Sequence, residues 1–309
     1  MKVLVTGAAG FIGSHLSEAL LKQGHEVVGV DNFNEYYDRS LKERNAACVR
    51  SRGGVIEEID LAVDDLEAVL DGVEVVFHAA AQPGLSSKTS DSDYELNNIQ
   101  ATDRLLSACG DSESLEMLFY ISTSSVYGTT ATSNEEAVPA PTSKYGQTKL
   151  AAERAVLAAA EAGKLQACSL RIFSVYGPRE RPEKLFPLLI QSLQDGEPFP
   201  LFAGSLRHER SFTYVGDIVI GLLAALDRRS DLGGQIINLG CEKSFTTEQG
   251  IGIVEDLMGK KASFDSLPAR AGDQLKTAAV ISKARRLLGY APSTELRDGL
   301  AAEVRWFTD

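Results

Sequence analysis

Short, mostly apolar runs alternate along the first half of the chain with longer stretches in which apolar residues return every three or four positions. The runs at 3–5, 27–30, 55–59, 73–77, 117–121 and 168–172 predict buried strands, and the stretches at 15–22, 61–70, 97–109 and 146–162 predict helices. Residues 150–162 are rich in Ala, Glu and Leu, which favour helix strongly. Strands alternating with helices predict an α/β fold, a doubly wound parallel sheet covered by helices. Past residue 175 the rhythm changes, because Pro178, Pro182, Pro187, Pro198 and Pro200 interrupt it. A second, smaller, mixed α/β domain of loops and short elements is therefore expected at 176–210 and 241–309. A helix at 211–226 and a strand at 235–239 are expected to rejoin the first domain, which spans 1–175 and takes back 211–240.

The 309 residues are 44% hydrophobic and 24% charged, the composition of a folded globular chain. With 31 Lys+Arg against 43 Asp+Glu the formal charge is −12, which argues against a binder of the nucleic-acid backbone. Anionic ligands must then be held by a few local cations. Four single cysteines form no Cys-x-x-Cys pair and four histidines show no metal-ligand spacing, so no metal is expected. No apolar run approaches the ~20 residues of a membrane span, and none resembles a leader core, so the expected setting is cytoplasmic.

The first strand runs into Thr6-Gly7-Ala8-Ala9-Gly10-Phe11-Ile12-Gly13 and then a helix. Glycines there let the turn be tight, let backbone N–H groups approach a pyrophosphate, and bring the helix N-terminus to the negative charge. The spacing is G-x-x-G-x-x-G, which alone says little. An acid where the second strand ends, Asp31, eighteen positions beyond Gly13, completes a dinucleotide site of the Rossmann type. A carboxylate there hydrogen-bonds the ribose hydroxyls and repels a 2′-phosphate, so the expected cofactor is NAD, not NADP. The alternative is a solvated Asp at a strand end.

Tyr145 and Lys149 stand at i and i+4 of a helix, and a hydroxyl-rich strand end, Ser122-Thr123-Ser124-Ser125, precedes them. With the glycine loop, this set resembles the short-chain dehydrogenase/reductase superfamily over essentially the whole chain. It points to the extended branch of nucleotide-sugar epimerases and dehydratases. The matching pieces are Thr6–Gly13, Asp31, Asp60-Leu61, His78-Ala79-Ala80-Ala81, Asn98, Thr123, Tyr145, Lys149, Tyr176-Gly177-Pro178-Arg179 and Arg210. The resemblance implies that Gly7, Gly10, Phe11, Ile12, Gly13, Asp31, Asp60, Leu61, Ala79, Ala80, Ala81, Asn98, Tyr145 and Lys149 hold NAD. Thr123, Tyr145 and Lys149 would then be the catalytic group. Lowering the Tyr pKa from ~10 toward 7 is worth about 4 kcal/mol, which Lys149 and the cationic nicotinamide are expected to supply together. Ser122, Ser124 and Ser125 are expected only to close hydrogen bonds at the strand end.

The chain lacks the acids that follow Thr in the related dehydratases and decarboxylases, having Ser124 and Ser125 instead, so the resemblance implies a 4-epimerase. Such an enzyme oxidises a UDP-sugar at C4, lets the ketone turn over, and returns the hydride to the other face. Arg210, in a segment similar to R-D-F-T-Y-V, and Arg270 with Asp273, in one similar to R-x-G-D, would hold the diphosphate and the ribose. The loop before Arg210 is about one residue longer than usual, so Arg207 could share its role. Gly177-Pro178-Arg179-Glu180-Arg181-Pro182 resembles the bacterial UDP-glucuronate 4-epimerases, and Ser174 and Arg181 would then hold the C6 carboxylate. Pro83 belongs to a substrate loop that lacks the family's Arg, reading Pro83-Gly84-Leu85-Ser86. Three alternatives stay open: a UDP-glucose 4-epimerase, a UDP-N-acetylglucosamine 4-epimerase with Arg181 merely paired to Glu180 or Glu183, or a catalytically silent NAD-sensing regulator. The regulator would have lost Tyr and Lys. A homodimer is also implied, with the helices at 97–109 and 146–162 pairing with their copies.

Overall fold

The computed structural model describes residues 1–84, 89–270 and 272–308. Seven strands make one sheet: β1 (Lys2–Thr6), β2 (Glu26–Asp31), β3 (Val55–Glu58), β4 (Val75–His78), β5 (Met117–Thr123), β6 (Ala167–Ile172) and β7 (Ile236–Leu239). Every neighbouring pair is parallel, in the order β7-β6-β5-β4-β1-β2-β3. The central strands β1, β4 and β5 are apolar enough to sit only in a sheet covered on both faces, and all seven residues of β5 are buried. The order reverses between β1 and β4, which leaves a crevice above their carboxyl ends.

One face is covered by α1 (Phe11–Lys22) and α2 (Arg39–Ser51), whose Leu16, Leu20, Ala46 and Val49 enter its core. The other is covered by α3 (Ala101–Gly110) and α4 (Lys144–Glu161) through Leu105, Ala152 and Val156. A third core gathers Tyr176, Phe186, Leu189, Ile190 and Phe212 with Ile251, Val254, Leu296 and Leu300. Its helices are α5 (Leu185–Asp195), α7 (Thr247–Met258) and α9 (Leu296–Thr308). Between them run α6 (Val215–Asp227), beside β7, and the short α8 (Ser282–Leu288).

Four expectations need correction. The helix expected at 61–70 exists only as Glu67–Leu70. Before it, carboxylates close turns on backbone N–H groups: Asp60 accepts from Ala62, Asp64 from Asp60 and Asp65 from Glu67. The helix expected at 97–109 is composite, with a turn at Asp91–Tyr94 and a π-helical segment at Glu95–Gln100 ahead of α3. The helix expected from 211 starts at Val215, because Thr213–Tyr214 pairs as a strand with Val175–Tyr176. Finally, the region after 175 is not mostly loop: α5, α7 and α9 have 11, 12 and 13 residues. Pro187 is the third residue of α5, in the first turn where no intrahelical N–H bond is lost.

The C-terminal helix α9 is tied back to the first sheet's helices. The guanidinium carbons of Arg44, from α2, and Arg179 lie 4.4 and 5.4 Å from the ring centroid of Trp306, the chain's one tryptophan. Arg179 also pairs with Glu18 of α1 at 2.8 Å. Among the described residues no helix is long and apolar enough to cross a membrane, and no group of His, Cys, Asp and Glu could hold a metal ion.

Candidate active site

The glycine turn after β1 is built around close backbone contacts. Gly7 has φ +69°, and a Cβ there would stand 2.9 Å from the Ala80 backbone, while one on Gly13 would collide with the Gly7 carbonyl oxygen. The Ala79–Ala81 stretch is fixed against this turn by a buried chain of hydrogen bonds. Thr102 Oγ1 donates to the Asn98 carbonyl (2.7 Å) and so accepts from His78 Nε2 (2.9 Å). His78 Nδ1 then accepts from Thr6 Oγ1 (2.7 Å), which accepts in turn from the Ala80 N–H (3.1 Å). Burial pushes the His78 pKa down to about 3, so the ring is neutral, as that chain requires.

Asp31 ends β2 and is 8% exposed. Its oxygens accept from the N–H groups of Ala9 (3.2 Å) and Phe33 (2.9 Å), and Lys42 Nζ stands 3.6 Å away. Each oxygen keeps a lone pair for a ribose hydroxyl. One cleft of about 1430 Å³ is lined by Gly7, Gly10, Phe11, Ile12 and Gly13, by Asp31, Asp60 and Leu61, and by Ala79, Ala80 and Ala81. A turn no side chain could fill, a helix N-terminus behind it and an acid at the next strand's end fit a dinucleotide. Asn98 is the exception, since it is absent from the cleft wall. It is buried, its Oδ1 accepts from the Gln82 N–H (2.7 Å), and its Nδ2 donates to Thr148 Oγ1 (2.9 Å), so in the chain itself it braces the floor.

The same cleft takes in Thr123, Tyr145 and Lys149. Thr123 is the last residue of β5, and its Oγ1 accepts from the Ser125 N–H (3.1 Å). Tyr145 and Lys149 occupy the start of α4, whose N-cap, Ser143, accepts from Gly146 (3.1 Å). Lys149 is 2% exposed, with Nζ 4.1 Å from the Tyr120 ring centroid. Burial holds the Tyr145 phenol above its ordinary pKa, opposed by the hydrogen bond with Thr123 and by Arg181. Lys149 is itself pushed down to about 7 by burial, against the pull of Glu153 one turn on. Glu153 is held in place by the buried Arg171 (2.6 Å). The chain alone therefore does not make the phenolate.

Pro83, Ser174, Arg181, Arg210, Arg270 and Asp273 also line this cleft. Ser174 has φ +34°, a left-handed backbone unusual for serine, and its Oγ is 3.3 Å from Thr277 Oγ1. Arg181 pairs with Glu183 (Nη1–Oε1 2.7 Å) and also faces the cleft, so the loop partner and the ligand-facing position coexist. Arg270 and Asp273 pair with each other at 2.7 Å. Arg207 is exposed and off the cleft wall, whereas Arg210 is on it. Leu85, Ser86 and Ala271 lie outside the described residues. Sequence reasoning missed Lys42, Tyr36 and Lys184, which also line the cleft. Only Lys42 left a signal, the buried spacing Lys42, Asn45, Ala46, Val49 along α2.

Sheet order, glycine turn and the Thr-Tyr-Lys group together define an extended short-chain dehydrogenase/reductase, an NAD-dependent enzyme. The chain belongs to the NAD dependent epimerase/dehydratase family, whose model matches residues 3–240. It is 40% identical to an uncharacterised UDP-glucose epimerase, YtcB, of Bacillus subtilis (strain 168), over 100% of this chain and 98% of that one. It is 37% identical to UDP-glucuronate 4-epimerase 1 of Arabidopsis thaliana, covering 99% of this chain and 76% of the relative. The crystal structure of UDP-glucuronic acid 4-epimerase from Bacillus cereus with UDP-glucuronic acid and NAD superposes with a TM-score of 0.95 at 38% identity, over 99% of both chains.

Proposed function

We propose that this protein interconverts UDP-glucuronate and UDP-galacturonate by 4-epimerisation. The observation that carries the sugar's identity is Arg181, which faces the cleft near enough to Tyr145 to favour its phenolate. An Arg beside the reacting group suits a sugar with a carboxylate at C6, because its fork offers two parallel donors. Likeness to UDP-glucuronate 4-epimerases supports the same reading.

When bound, NAD supplies the hydride acceptor at C4 and a cationic ring that favours the phenolate. Gly7, Gly10 and Gly13 would hold its pyrophosphate and Asp31 its adenosine ribose. Tyr145 takes the proton from the C4 hydroxyl and returns it after the ketone has turned over, while Thr123 holds that oxygen. Lys149, one turn on from Tyr145, would bind the nicotinamide ribose. Arg210, Arg270 and Asp273 would hold the UDP, the last two exchanging their mutual pair for phosphate and ribose. In domain terms, 1–175 with 211–240 would carry the cofactor, and 176–210 with 241–309 the UDP-sugar. The four free cysteines fit a reducing, cytoplasmic setting.

Purified protein given UDP-glucuronate, with no added NADH, should equilibrate it with UDP-galacturonate by chromatography. Equilibration of UDP-glucose or UDP-N-acetylglucosamine in its place would overturn the choice of sugar, and no turnover of any would favour a sensor. We also infer a homodimer through the outer faces of α3 and α4, to be checked by light scattering at micromolar concentration; a monomer there would refute it.

A further inference from the structure

Arg181 does not reach the cleft with its full charge. Its Nη1 lies 2.7 Å from Glu183 Oε1, so an incoming anion meets a guanidinium that is already partly neutralised. Three residues on, where α5 begins, Lys184 also lines the cleft. A Cβ built on Gly84 would stand 3.2 Å from Arg181 Nη2 and 3.4 Å from Lys184 Nζ. The two cations therefore converge on one patch of bare backbone, at a position with no side chain to fill it. Among the described residues, Lys184 Nζ makes no ion pair and no hydrogen bond. The nearby carboxyl of Glu180 does not offset it fully, because burial raises Glu180 to about 7 against the opposing pull of Lys184, the hydrogen bond with Glu303 and Arg181.

We propose that Lys184 is a second, specificity-determining cation of the sugar pocket, gripping the carboxylate at C6 together with Arg181. This rests on the UDP-glucuronate reading above. The division of labour follows from the charges: Arg181 with Glu183 orients the carboxylate through directed hydrogen bonds, and Lys184 brings the positive charge that Glu183 removes. The neutral hydroxymethyl of UDP-glucose would leave that ammonium unpaired in a half-buried place, which disfavours the wrong sugar. Lys184 is held down to about 8, chiefly by burial and by Arg181, with Arg270 adding to this and Glu180 and Glu183 opposing it. Grip on the carboxylate should therefore weaken as pH rises through about 8, where the amine loses its proton. Affinity for UDP-glucose should not follow that curve.

The test is equilibrium binding to NAD-loaded protein in a Tyr145→Phe background, so that nothing turns over. Removing one charge-assisted contact should cost tenfold or more. Lys184→Met should weaken UDP-glucuronate by about that factor, leave UDP-glucose within about twofold, and abolish the alkaline loss of affinity. Lys184→Arg should restore the preference. Lys184→Gln, which keeps a polar chain of similar reach, provides the same comparison should the Met variant melt early. Equal losses for both sugars, or a preference unchanged in both neutral variants, would overturn the assignment of Lys184 while leaving the epimerase reading intact. A Lys184-intact protein with no preference for UDP-glucuronate over UDP-glucose overturns the sugar assignment itself, and with it this inference.

Discussion

The phenol of Tyr145 must give up a proton from a buried position, where the charged form is penalised. Thr123 and Arg181 work against that penalty, and the bound cofactor's ring adds to them. The site is therefore inert until it is loaded. Tyr145→Phe should keep the fold and bound NAD, since the ring still packs, and lose turnover by ~10² to 10⁴-fold. Chromatography of the sugar products, beside absorbance of the bound cofactor, checks both halves. Near-normal turnover would make the phenol a packing group. The residues legible in the sequence were those whose spacing is dictated by chemistry along one element: the glycines, Asp31, and Tyr145 with Lys149. Lys42 and Lys184 were not legible, because each acts at a place that another part of the chain completes. Lys42 meets Asp31 across the β2–α2 connection, and Lys184 meets Arg181 over Gly84.

At the scale of elements, strands were the easiest to read, because burial on both faces forces continuous apolar runs. Helices failed where local chemistry competed with periodicity. Aspartates 60, 64 and 65 cap turns and shorten one helix, α2 hides its inner face behind a lysine and an asparagine, and Pro187 disguises α5 by sitting in its first turn. Helix α9 carries an oddity with a measurable effect. Its Glu303 is fully buried against Glu180, and burial with that neighbour pushes its pKa well above the ordinary range. An acid whose folded pKa is raised contributes stability below its unfolded value, near 4.5, and loses it as pH rises through the folded value. Glu303→Gln should therefore melt higher than the parent at pH 8, by one to a few degrees, with little or no gain at pH 5. Calorimetry at the two pH values checks this. A gain of equal size at both would mean that packing, not ionisation, sets the difference.

Over the whole molecule, a chain of formal charge −12 must bind a dinucleotide and a UDP-sugar, both anions. It does so by concentrating Arg181, Lys184, Arg210 and Arg270 on one wall of a single cleft, so that local charge overrides the global field. That cleft is enclosed by turns from the sheet and by loops packed on the third core. The pieces are joined at the back by Trp306, which lies under guanidinium groups from α2 and from the loop that also bears Arg181. Because it is the only indole in the chain, the protein's indole fluorescence comes from this one junction. Indole emission responds to the charges over its ring. Any displacement of Arg179 from the ring would thus be written into the emission spectrum, an optical gauge of this junction that needs no label.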